Sequence, residues 1–272
     1  MVKLLLVIAL LGDGLFFGLG RFERNAVYPF DATRVAPARM GLSNMTEMQL
    51  RSGIQTLIIW VSPPRAGKPT ILYFHGNAGN LANRAGRFTR FTNRGYGVIA
   101  PAYRGSSGST GRPSEAALTR DATLVWAEMG TLIPGLTPRN TVVYGESLGT
   151  GVALKLLAQP GNPQPAAVIL EAPFTSLPEV VQTTYPQLEP LIERMKNIWN
   201  SRDHARSLHA PLLVLHGSED ALIPIDMGRQ VFAIAPSKEK RFLAVSGAGH
   251  TDIWRSDVLP QIWSFIDATS GR

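Results

Sequence analysis

The sequence predicts an α/β fold: a mostly parallel central sheet, helices on both faces and a short helical insert. Short β-branched runs alternate with segments of helical spacing from Thr70 to Ala268, the pattern of parallel strands joined by crossover helices. The runs Thr70–Phe74 and Ala166–Leu170 are almost wholly apolar, as strands covered on both faces must be. The third observation is Thr141-Val-Val-Tyr-Gly-Glu-Ser-Leu-Gly-Thr-Gly151. It reads as strand, very tight turn and helix, with two glycines letting the backbone push Ser147 out above the sheet edge.

At the N-terminus, Lys3 precedes the apolar run Leu4–Leu11, then Gly12-Asp13-Gly14, then residues 15–20 and Arg21. A secretory signal would have this basic start and apolar core, but no small-x-small cleavage site follows. As a membrane helix the segment is barely long enough, and Asp13 near its middle costs about 3 kcal/mol. The missing cleavage site favours residues 1–21 as a single-pass anchor and a membrane-associated protein. Signal cleavage and a secreted or periplasmic product are the alternative. Residues 22–45, with Pro29 and Pro37 and few periodic apolar residues, read as a linker to a domain over 46–272.

Within that domain, Met48–Arg51 and Gln55–Val61 form an antiparallel pair around Ser52-Gly53, ended by Pro63 and Pro64. Leu81, Ala85, Phe88 and Phe91 mark a helix after the strand Thr70–Phe74, and Gly97–Ala100 is the next strand. Pro113-Ser114-Glu115 opens another helix, and the strand-turn-helix around Ser147 follows. After Ala166–Leu170 the rhythm breaks. Residues 174–209 hold Pro178, Pro186 and Pro190 among helical fragments, too long for an ordinary connection. Pro211–Leu215 and Lys240–Val245 are the last strands. A helix from Pro224 to Ala235 lies between them, and another runs from Asp252 to Ala268, with Asp252 as an N-terminal charge.

Composition narrows the function. With 44% hydrophobic and 17% charged residues in 272, the chain can bury a large core and is not disordered. The absence of cysteine excludes disulfides, thiolate catalysis and thiolate zinc sites. A net charge of +7 raises nucleic acid as a partner, but the basic residues are spread along the chain rather than clustered, so none is expected. No helical zinc pair and no phosphate-binding glycine loop is present, so no cofactor or metal is implied.

In such a sheet, ligands bind beyond the carboxyl ends of the parallel strands. Those ends carry His75-Gly76-Asn77, Ser147, His216-Gly217-Ser218-Glu219-Asp220 and Ser246-Gly247-Ala248-Gly249-His250. A nucleophile, an acid and a base thus arrive at one edge in the order Ser, Asp, His. Ser147 alone reads equally well as a helix N-cap, and Glu146 as a turn residue. His75 and His216 read as loop organisers in His-Gly steps, and Glu219 and Asp226 rival Asp220 as the acid.

Tyr73-Phe-His-Gly-Asn-Ala-Gly-Asn80, Tyr103-Arg-Gly105, Gly111-Arg-Pro-Ser-Glu115, Gly145-Glu-Ser-Leu-Gly149, His216–Asp220 and Gly247-Ala-Gly-His250 together resemble the α/β-hydrolase superfamily. Within it, the chain resembles the small, N-terminally anchored serine hydrolases related to the α/β-hydrolase-domain depalmitoylases and the bud-emergence-type proteins. The resemblance implies an α/β-hydrolase fold with residues 174–209 as the cap. It implies Ser147 as nucleophile, His250 as base, Asp220 as its orienting acid, and the N–H groups of Asn77 and Leu148 as oxyanion hole. His75, Tyr103, Phe174, Trp199 and Ile223 are further candidates for contacting substrate. The expected reaction is hydrolysis of a carboxylic ester or thioester, on a small-molecule or lipid-like acyl substrate, through an acyl-serine. A serine aminopeptidase-like activity, or a non-catalytic scaffold, is the alternative.

Overall fold

The computed structural model describes residues 20–269, with helix α1 at 20–27. An eight-stranded sheet of order β1-β2-β4-β3-β5-β6-β7-β8 organises the chain. Strand β1 (Thr46–Ser52) forms the predicted hairpin with β2 (Gln55–Ser62), in register from Thr46 opposite Val61 to Ser52 opposite Gln55. β2 pairs antiparallel with β4 (Gly97–Pro101). The remaining pairs are parallel and join β4, β3 (Thr70–Phe74), β5 (Thr141–Glu146), β6 (Ala167–Glu171), β7 (Leu212–Gly217) and β8 (Lys240–Val245) in that order. Six strands therefore point their carboxyl ends to one edge.

Alternating side chains divide the core into two layers. Leu72, Phe74, Val143, Val168 and Val214 face α3 (Glu115–Ala127), α4 (Met129–Leu132), α5 (Leu148–Leu157) and, after the insert, α8 (Ile225–Ile234). Ile71, Tyr73, Val142, Tyr144 and Ile169 face α2 (Ala85–Asn93) and α9 (Leu259–Thr269). The insert holds α6 (Leu177–Thr184), a 3₁₀ stretch Pro186–Arg194 and α7 (Ser201–Ala205). Pro190, inside the middle piece, keeps it from becoming an α-helix, because it lacks the N–H that the interior of such a helix requires.

Two sequence expectations need correction. Residues 22–45 are not a free linker, since Tyr28, Leu42 and Met45 are buried in the domain. Phe30 bridges in parallel to Gly79, and the Asp31 N–H donates to the Gly79 carbonyl at 3.0 Å. These contacts come from single, aperiodic side chains, which leave no pattern in the sequence. The last helix begins at Leu259 rather than Asp252. Asp252 instead accepts from the Gly249 N–H at 2.7 Å, and Arg255 donates to the Ser246 and Gly247 carbonyls at 2.8 Å each. These residues close the loop behind His250, and Pro260 falls in the first helical turn, where proline is tolerated.

Among the described residues no helix is long and apolar enough to cross a membrane. The expected anchor at 1–21 lies, except for its last two residues, outside the described part of the chain.

Candidate active site

Strand β5 ends at Ser147, whose backbone stands at φ 50° and ψ −115°. A non-glycine residue pays about 1–3 kcal/mol for such a conformation, and the surroundings enforce it. The Ser147 N–H donates to the Glu171 carbonyl at the end of β6 (2.8 Å), and the Ser147 carbonyl accepts from the Thr150 N–H (2.8 Å). A Cβ on Gly149 would lie 2.0 Å from the Phe74 carbonyl oxygen, and one on Gly145 would lie 2.6 Å from the Gly149 oxygen. Only glycines let β5, β3 and α5 approach this closely. The Ser147 side chain makes no helix-capping bond.

Its hydroxyl instead meets His250 Nε2 at 2.9 Å, and His250 Nδ1 meets Asp220 Oδ2 at 2.7 Å. With Nδ1–H donating to the carboxylate, Nε2 is left as acceptor for the serine proton. The other Asp220 oxygen accepts from the Leu222 and Ile223 N–H groups at 3.0 and 2.9 Å. Burial disfavours the Asp220 charge. The hydrogen bonds from His216, His250 and the Ile223 N–H outweigh that penalty and hold its carboxyl well below the usual carboxylate range. Of the rival acids, Asp226 pairs with Arg229 at the surface (2.8 Å) and the Glu219 side chain is exposed. Leu148 is the first residue of α5, so its N–H has no intrahelical acceptor. Asn77 lines the same cavity as Ser147 and Leu148, and its amide side chain donates to the Val27 carbonyl at 3.2 Å.

That cavity, about 330 Å³, is walled largely by the insert: Phe174, Leu177, Val181, Leu188 and Met195, with Ile223 opposite. Two of the five residues expected to contact substrate, Phe174 and Ile223, therefore line it. The other three do not. His75 is fully buried, with its ring 4.2 Å from that of Tyr103, whose hydroxyl donates to the His75 carbonyl at 2.9 Å. Trp199 is buried at φ 44° and donates its indole N–H to the Tyr28 hydroxyl at 3.0 Å. These aromatic residues support the loop that carries Asn77 and the insert from behind. Val27 and Ala26 of α1 and Leu222, all missed by sequence reasoning, line the cavity instead.

Burial and the nearby Arg84 charge lower the His75 pKa to about 3. An unfolded histidine protonates near pH 6.5, so folding binds fewer protons between these values. His75 therefore adds stability that is complete above pH 6.5 and is lost as the pH falls below it. Unfolding free energy should drop about 1 kcal/mol between pH 7 and pH 5.5 from this group. Denaturant titrations of His75→Gln should show that part of the slope removed, whatever the variant's absolute stability.

On the other side of Ser147 a small polar recess of about 70 Å³ is lined by Arg87, Glu146, Glu171, His250 and Thr251. Glu146, expected to be a simple turn residue, accepts from Arg84 Nη2 at 2.9 Å and from the Tyr73 hydroxyl at 2.6 Å. Arg87 grips Glu171 through two bonds of 2.5 and 2.8 Å and lies over the Trp254 ring at 4.6 Å. The Tyr144 hydroxyl and the Trp254 N–H also donate to Glu171. Burial opposes the Glu146 charge, but Arg87 and Arg84 prevail and keep its carboxyl well below the usual range. The sequence signal for this network was a glutamate ending each of two buried strands, an unusual residue to bury without a partner. Among the described residues no group of three or more His, Cys, Asp or Glu side chains could hold a metal.

Comparison with known proteins agrees with the fold that carries these residues. The family model described as serine aminopeptidase, S33, matches residues 65–201. An uncharacterised protein of Mycobacterium tuberculosis is 34% identical over 90% of the chain and 86% of its own length. The protein bem46 of Schizosaccharomyces pombe is 35% identical over 70% of the chain and 64% of its own. The lysophosphatidylserine lipase ABHD12 of Rattus norvegicus is 34% identical over 71% of the chain, which spans about half of that relative (54%). Among solved structures, an α/β hydrolase from Vibrio vulnificus superposes with a TM-score of 0.74 at 20% identity, covering 91% of the chain and 93% of its own.

Proposed function

The chain belongs to the α/β-hydrolase superfamily, where it resembles the bem46 and ABHD12 proteins, and on that premise we propose that it is a serine hydrolase of amphiphilic carboxylic esters. The observation that carries this reading is the position of Ser147 at the junction of an apolar cavity and a polar recess. An ester bond held at the Oγ would have an apolar acyl group on one side and a polar alcohol on the other. A relative that bears the name of a lysophospholipid lipase fits this reading.

In the proposed reaction His250 Nε2 takes the Ser147 proton as Oγ attacks the carbonyl carbon. Asp220 keeps the imidazole oriented and stabilises the imidazolium. The Leu148 and Asn77 N–H groups would receive the oxyanion, each contributing about 3 kcal/mol in the transition state. The carbonyl carbon–alkoxy oxygen bond then breaks, and the His250 proton goes to the leaving alcohol. Water activated by the same histidine releases the acid and returns the serine proton. A thioester fits the same chemistry, with a thiol as leaving group.

Aminopeptidase action is the second reading, favoured by the matching family's description. It requires an uncompensated carboxylate near the nucleophile for the substrate's ammonium group. The two glutamates bordering Ser147 are each paired with an arginine, which weighs against it. Initial rates on p-nitrophenyl octanoate and on aminoacyl p-nitroanilides should differ by at least about 100-fold in favour of the ester, a gap of about 3 kcal/mol in activation free energy. Comparable rates would sink the esterase assignment.

The division into an anchor at 1–21 and a catalytic domain with its cap at 174–209 is part of the same proposal. Membrane attachment would bring the domain to lipid-like substrates, and fractionation of the expressed protein tests it. Recovery of the intact chain in the soluble fraction would remove the anchor from the proposal.

A further inference from the structure

The apolar cavity beside Ser147 does not end at the insert. A second chamber of about 80 Å³ lies between α1 and the insert. It shares Ala26, Val27, Val181, Leu188 and Met195 with the first, and is completed by Phe22 and Leu191, with Glu23 and Arg194 at its rim. The two chambers thus have common walls. Phe22, in the second chamber, is 53% exposed.

The wall formed by α1 is fixed in place. One Glu23 carboxylate oxygen accepts from the Lys196 N–H (2.9 Å), the Asn197 N–H (2.8 Å) and the Asn197 side-chain amide (2.8 Å). The Asn197 side-chain oxygen in turn accepts from the Tyr28 hydroxyl at 2.8 Å and from the Glu115 N–H at 2.7 Å. These bonds hold α1 against the insert. The chamber left between the two is lined mainly with apolar side chains and shares five of them with the cavity beside the proposed nucleophile.

We infer that α1 and the 3₁₀ stretch of the insert form a chain-length gauge, the outer chamber taking the distal methylenes of a long, unbranched acyl chain whose carbonyl lies at Ser147. Its catalytic consequence rests on the ester-hydrolase reading; the binding itself does not. The occupant is argued from the walls shared with the Ser147 cavity and from a lining that is apolar apart from Glu23 and Arg194. Each methylene added within the chambers should raise kcat/KM about fourfold, the gain from removing one CH₂ from water. The gain should stop where the chain passes Phe22 into solvent.

Two measurements on the full chain in non-ionic detergent test this. The first is the ratio of kcat/KM for hexadecanoyl and octanoyl p-nitrophenyl esters in wild type and in Leu191→Trp, which fills only the outer chamber. The ratio should fall at least tenfold in the variant, and an unchanged ratio overturns the gauge. The second needs no turnover: a hexadecanoic acid bearing a terminal diazirine is photocrosslinked to Ser147→Ala protein and the adducts are mapped. Adducts within 22–27 and 188–195, suppressed by excess hexadecanoic acid, support the chamber. Adducts elsewhere, or none that compete, overturn it even if the tryptophan variant fails to fold. Crosslinking as expected from a protein that cleaves no ester would discard the hydrolase reading and leave the chamber standing. Ester cleavage with unchanged ratios and no competed adducts would do the reverse.

Discussion

Ser147→Ala should lower kcat for ester hydrolysis by about 10⁶-fold and abolish labelling by a fluorophosphonate probe. The expected size follows from the dependence of the chemistry on one atom. Without Oγ there is nothing for His250 to deprotonate, and the oxyanion donors retain only their modest effect on direct attack by water. Asp220→Asn should cost about 10⁴-fold, because a neutral amide can hold the wrong imidazole tautomer and leaves the imidazolium unpaired. The two losses should not add: the double variant should be no slower than Ser147→Ala alone, since the residues act on one proton. Pre-steady-state release of p-nitrophenol checks the acyl-enzyme directly, and wild-type labelling that survives the alanine change would overturn the assignment. The fold should tolerate the change. Alanine occupies the same backbone conformation as serine at φ 50°, and Ser147 Oγ contributes its hydrogen bond to His250 rather than to the helix.

Arg87→Met should destabilise the protein by about 3–5 kcal/mol at neutral pH, the usual cost of removing one partner from a buried ion pair. Glu171 is almost wholly buried, and it would lose both of its bonds to the guanidinium. Glu146 would lose the larger of the two cationic influences that hold its carboxyl ionised. In the wild type, Glu146 stays charged well below the usual carboxylate range. Its pairing therefore contributes stability that is present above about pH 4.5 and lost as the pH falls below it. The variant has less of that contribution to lose. Wild type and Arg87→Met should thus differ most in chemical denaturation at pH 7, and the gap should begin to narrow as the pH falls below about 4.5. A gap that is constant with pH would mean that Arg87 acts by packing against Trp254, 4.6 Å from its ring, rather than by charge.

The order and direction of the elements were readable because the sheet imposes them locally. Apolar runs such as Ala167–Glu171 and the glycine-flanked turn at Ser147 announce themselves within ten residues, and the superfamily comparison agrees with the fold they imply. Ser147, Asp220 and His250 were also legible as a set, since each follows a strand whose carboxyl end is fixed by the parallel topology. What escaped was pairing between elements. Arg87 and Glu171 lie 84 positions apart, and nothing in either neighbourhood specifies the other. The N-terminal segment escaped for a related reason: Tyr28, buried, and Phe30, half-buried, dock one at a time against the Asn197 side chain and the Gly79 backbone, with no period for the eye to find. His75 and Trp199 were misassigned because a large side chain next to a site in sequence can either enter it or support it. Burial decides between the two, and burial is a property of the folded chain.

The ordering of the sheet has a consequence for how this protein would fail. Ser147 follows β5, which is flanked on both sides by buried strands, whereas His250 follows β8, which has β7 as its only neighbour and is half solvated along its length. Edge elements open at lower free energy than the centre of a sheet. Heat or mechanical pull would therefore separate His250 from Ser147 while the core holding Ser147 stayed closed. Such a molecule would pass for native by its bulk and be silent only while its last strand was away.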